Sequence, residues 1–115
     1  MKIDKSLAAG STAMLLLKLL QGRDMYGYQM IEALAKRSDN SFDLKAGTLY
    51  PLLKTLEDKG YITSYQQNAD NQRIRKYYHL TKSGEEQLAQ KQREWKFFTD
   101  KVNQVMGGKL VEIYG

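Results

Sequence analysis

The chain contains no cysteine, one proline, one histidine and one tryptophan among 115 residues, and each scarcity removes options. Without cysteine there are no disulfides, no thiolate metal ligands and no sulfur nucleophile. The sole histidine, His79, lies among tyrosines in a strand-like segment, where it packs or forms a rim rather than catalyses. No Gly-rich phosphate loop, metal-ligand cluster or nucleophile motif accompanies it, so we expect no enzyme, no metal and no cofactor. Long apolar runs are missing too. The strongest, Met14 to Leu17 followed by Leu19 and Leu20, is interrupted by Lys18 and falls far short of the ~20 residues needed to span a bilayer. With no export signal either, the expected location is the cytoplasm, with no membrane partner.

What is present describes one small globular unit. Hydrophobic residues make up 42% and charged residues 27%, a balance that supports a modest core and leaves room for stability from self-association. The net charge of +5 favours anionic partners, nucleic acid first.

Hydrophobic spacing predicts a buried helix over residues 11–21 and a second over 28–37, where Met30, Ile31, Leu34 and Ala35 recur at helical intervals. The stretch "KAGTLYPLLKTLEDKG" carries Leu49, Leu52, Leu53 and Leu56 on one stripe, with Gly60 to end the helix. Pro51 reads as a helix-entrance residue, because the first amides of a helix have no internal acceptor. The period then changes. "YITSYQQ" and "RIRKYYHL" flank the polar turn "NADNQ" and predict a hairpin. Thr81 is the expected N-cap of a long helix over 82–106, which ends at the pair of glycines 107 and 108. Leu88, Trp95, Phe98, Val102 and Val105 form a heptad-like seam on it, assigned to a partner subunit.

The expected fold is mainly α with a small two-stranded β-wing. A winged helix-turn-helix occupies residues 1–81, and a C-terminal dimerisation helix with a tail occupies 82–115. A 100° step per residue puts Pro51, Lys54 and Asp58 opposite the buried leucines, with Thr48, Tyr50 and Thr55 on the flanks. The third helix would then offer Lys45, Thr48, Tyr50 and Lys54 to a DNA groove. Alternatively it is an ordinary amphipathic helix with a solvated face. Arg73, Arg75 and Lys76 on the hairpin suit phosphate contact, or protect an edge from aggregation. Asp70 at the turn works against the first of these. Trp95 and Phe98 either pack an interface or stack on a flat aromatic ligand between two subunits, a site that Lys96 and Asp100 would tune.

Three segments carry a resemblance. "MYGYQMIEAL", "GTLYPLLKTLEDKGYI" and "RKYYHLTKSGEEQL", in this order and spacing, resemble the PadR family of bacterial transcriptional regulators, in its compact subfamily with a short C-terminal part. The resemblance implies a winged-helix homodimer that represses a neighbouring promoter through a palindromic operator in double-stranded DNA. It assigns Thr48, Tyr50 and Lys54 to the DNA-facing helix and Arg75 and Lys76 to the wing. Tyr26 and Gln29 are assigned to backbone contact, and Trp95 to a stretch that binds flat hydrophobic molecules in some members. Rival readings are a resistance or sequestering protein built on the Trp95 cavity, and an adaptor whose basic winged domain docks proteins.

Overall fold

A computed structural model describes residues 1–68 and 73–107. The expected turn at 69–72, Asp70 included, and the tail after Gly107 lie outside the described residues. The elements run α1 (Lys5–Ala8), α2 (Thr12–Gly22), β1 (Met25–Tyr26), α3 (Gly27–Arg37), α4 (Ala46–Asp58), β2 (Ile62–Asn68), β3 (Ile74–Leu80) and α5 (Lys82–Met106).

Helix α2 is the central post. Leu16, Leu17, Leu19 and Leu20 are all buried, as a helix apolar around most of its circumference requires. Met30 and Leu34 of α3 and Leu49, Leu53 and Leu56 of α4 pack into the same core, each pair or triplet at three- or four-residue spacing. The sheet closes the core from one side with Met25, Ile62, Tyr78 and Leu80.

The wing has a strand more than the two-stranded wing read from the sequence. β1 pairs antiparallel with β3 (Met25 with Tyr78, Tyr26 with Tyr77), giving the order β1-β3-β2. Two residues are too few to display a period, so this strand exists through its partner rather than its own pattern. β2 and β3 form the predicted hairpin, with Ile62 opposite Leu80 and Tyr65 opposite Tyr77.

Helix α5 keeps its predicted span, and its start is tightly specified. The Thr81 side chain accepts a hydrogen bond from the Gly84 amide at 3.0 Å, while Gly107, at φ +74°, ends the helix in the left-handed region. Leu88 corrects the seam. It is 1% exposed within its own protomer, where the first turns of α5 pack on α2, so it cannot face a partner subunit. The unpartnered seam begins at Trp95.

Candidate nucleic-acid interface

Helix α4 presents an unbroken apolar stripe inward and a polar surface outward. Leu49 and Leu53 are fully buried, whereas Lys45, Thr48, Tyr50 and Lys54 are exposed. Lys45 is the N-cap, in extended backbone, and its ammonium lies 3.1 Å from Asp43. Lys54 pairs with Asp58 one turn on, at 3.5 Å. Both pairs are solvent-exposed and so weak, which leaves either ammonium free to exchange its carboxylate for another anion.

Pro51 departs from the reading as an entrance residue. The helix begins at Ala46, so Pro51 falls in the second turn, where it has no N–H to give the Gly47 carbonyl four residues back. The loss is a single hydrogen bond. Tyr50 is also less free than its outward position suggests. Its hydroxyl lies against Gly27, so that a Cβ added there would sit 2.5 Å from the Tyr50 oxygen. The ring spans the gap between the start of α3 and α4.

On the wing, strand alternation separates Arg75 from Lys76. Arg75 shares the outer face with Tyr77 and His79, and its guanidinium carbon sits 4.3 Å from the Tyr26 ring centre. Lys76 points the other way, over the Tyr78 ring and 3.9 Å from Glu57. Glu57 also accepts from Ser64 at 2.5 Å, so it ties α4 to the sheet. Arg73 is exposed just before β3. Gln29 has a local role. Its side-chain oxygen accepts from the Tyr26 amide at 3.1 Å and caps α3.

Two groupings were not legible beforehand. Asp24 accepts hydrogen bonds from the Tyr65 hydroxyl at 2.7 Å and binds the His79 imidazole at 2.8 Å, joining the loop before β1 to both wing strands. Burial by itself would raise the Asp24 pKa, but the His79 and Tyr65 hydrogen bonds and the imidazole charge outweigh it and hold the carboxyl below its ordinary value. The same hydrogen bond raises the Tyr65 phenol. His79 is thus a partly exposed structural partner. Tyr28 and Glu32, both exposed on α3, line a cavity with Tyr26, Arg73 and Arg75. Their i,i+4 spacing opposite Met30 and Leu34 is the signal that would have singled them out.

On α5, Trp95 and Phe98 lie with ring centres 5.8 Å apart and remain 41% and 57% exposed. Lys96 and Asp100 do not converge on them; they pair with each other at 3.0 Å. Among the described residues, no group of histidines and carboxylates is arranged to hold a metal, and no helix is long and apolar enough to cross a membrane.

This arrangement of helices, recognition-type helix and wing has close counterparts. Residues 16–90 match the profile of the Transcriptional regulator PadR-like family, which covers well over half of the chain. The chain belongs to the PadR-like family. As a PadR-like transcriptional regulator it is a DNA-binding protein of winged-helix fold. Its fold is similar to that of a transcriptional regulator from Clostridium thermocellum (30% identity, TM-score 0.81, covering 87% of this chain and 97% of that one). It is also similar to a PadR family transcriptional regulator from Eggerthella lenta (32% identity, TM-score 0.79, 88% and 86% covered). An uncharacterised protein of Lysinibacillus sphaericus is 35% identical over 81 residues, 70% of this chain and 74% of that protein. PadR-like proteins are transcriptional regulators as a family rather than a family of enzymes.

Proposed function

We propose that this PadR-like regulator acts in the cytoplasm as a homodimeric repressor, bound to a palindromic operator through α4 and the wing. The observation that carries the reading is the α4 surface. Thr48 and Tyr50 stand exposed near its amino end and Lys54 one turn further on, while the opposite leucines are buried, as a helix entering a major groove requires. Lys45 caps that helix and Lys76 reaches its Glu57, while Arg73 and Arg75 add positive charge on the wing and Tyr26 and Gln29 open α3. Two copies joined through Trp95, Phe98, Val102 and Val105 would offer their α4 helices to successive grooves ~34 Å apart.

The test is titration of the protein into labelled DNA from upstream of its own gene, over a range of salt. Lys54→Ala should weaken binding and relax one base preference, while Arg75→Ala should weaken it on every sequence and flatten the salt dependence. Equal affinity of both variants and the wild type across salt would overturn the assigned surface.

The neighbouring Trp95 and Phe98 rings favour a second element of the reading, release by a flat hydrophobic effector held between two copies of α5. Because Trp95 is the only tryptophan, planar aromatic compounds that quench its fluorescence should lose that effect in Trp95→Phe.

A further inference from the structure

The cavity beside the wing, about 470 Å³ in volume, is walled by Tyr26, Tyr28, Glu32, Arg73 and Arg75. Its chemistry is unequal. Tyr28 and Glu32 stand one turn apart on one side of α3, and Arg75 of β3 and Arg73 just before it line the same cavity. Two guanidinium groups therefore face one carboxylate. Among the described residues, neither arginine has a carboxylate within ion-pair distance and Glu32 has no cation partner, whereas Lys45, Lys54 and Lys76 are each paired within the chain. Arg75 is held in place over the Tyr26 ring, which in turn meets Tyr77 edge-on at 5.4 Å.

We infer that this cavity takes one phosphodiester of the DNA backbone, gripped by Arg73, Arg75 and the Tyr28 hydroxyl, and that Glu32 limits the strength of that grip. The inference rests on the DNA-binding reading above and adds two residues to it, Tyr28 and Glu32. Guanidinium pairs and phenol donors match the oxygens of a phosphate. The volume admits the sugar–phosphate unit that carries it. The carboxylate on the wall offsets part of the attraction of the two guanidiniums, so the phosphodiester is held less tightly than by a bare arginine pair. Contacts of this kind do not read sequence, so Glu32 acts on affinity for every duplex alike.

The test measures Kd against salt for two duplexes of equal length, one from the promoter of the gene and one unrelated. Glu32→Gln should tighten binding to both by roughly 3- to 10-fold. The same change in a R73A/R75A background should have less than about a twofold effect, since its target is gone. Glu86→Gln, which removes an exposed carboxylate from α5, should also change little, separating the cavity from net charge. The R73A/R75A protein itself should bind both duplexes more weakly, with a salt slope flatter by about 2. If Glu32→Gln leaves affinity unchanged or lowers it while Lys54→Ala still weakens binding, the cavity inference is overturned and the DNA reading stands. The inference is equally overturned if inorganic phosphate, at matched ionic strength, displaces duplex from the wild type but not from R73A/R75A, because the cavity would then be a free-anion site. A wild-type protein that binds neither duplex at any salt overturns both.

Discussion

Gly84 shows how little space the junction between wing and long helix allows. A Cβ there would run into the Tyr61 carbonyl oxygen and lie 2.6 Å from Leu80 Cδ1. Backbone on one side cannot yield, so Gly84→Ala should lower stability by about 2–3 kcal/mol, read from the urea midpoint. Thr81 next to it works in two directions. Its hydroxyl donates to the Gly60 carbonyl at 2.7 Å while its oxygen accepts from the Gly84 amide. Thr81→Ala removes cap and tether together and should destabilise by about 1–2 kcal/mol in the same measurement. Asp24 sets a pH dependence. With its folded pKa below the ordinary carboxylate value, its contribution is present at neutral pH and is lost as pH falls through the folded pKa. Asp24→Asn should therefore melt at a lower temperature than wild type near neutrality, and the two Tm curves should converge in acid, below about pH 4. The Thr81 cap was legible from residue type and position. The Asp24 cluster was not, because its members are 41 and 55 residues apart in the chain.

Among the elements, α4 tests the reading of its proline. Pro51 lies one turn inside the helix and is exposed, so its ring and missing N–H disturb the helix without filling any core space. Pro51→Ala should restore the bond to the Gly47 carbonyl and raise stability by about 1 kcal/mol, part of the gain being offset by a more flexible unfolded chain. A rise in Tm would check this. The leucine stripe announced α4, α2 and α3 because helical burial repeats every three to four residues. The hairpin announced itself through β-branched and aromatic residues around a polar turn. Strand β1 had no such voice: Met25 and Tyr26 are a strand because Tyr78 and Tyr77 pair with them.

For the whole molecule, the decisive feature is an arm. The chain extends over 60 × 30 × 22 Å, and its radius of gyration of 16.6 Å exceeds the ~13 Å of a compact domain of this length. The outer part of α5 accounts for the difference, with Trp95, Phe98, Val102 and the 87% exposed Val105 turned to solvent. Apolar surface gathered along one helix face is the usual mark of an interface. Phe98→Asp with Val102→Asp should shift the protein to monomers by sedimentation while its far-ultraviolet circular dichroism is retained. Leu88→Asp should unfold it instead, since that leucine belongs to the core of its own protomer. The heptad spacing of α5 ran straight through this boundary, because residues seven apart share a face whether that face meets α2 or a second subunit.

Whatever depends on near neighbours along the chain could be read from residue order: helices α2 to α5 with their inward stripes, the hairpin, the Thr81 cap, the positive charge, and the chemistry that a chain without cysteine cannot perform. Tertiary structure decided which distant segments meet. It put Leu88 inside, turned Arg75 and Lys76 to opposite faces of the wing, drew Asp24 to Tyr65 and His79, and set Tyr28 and Glu32 across a cavity from two arginines. Periodicity reports the direction of a side chain around its own axis. What lies in that direction depends on how the axes pack.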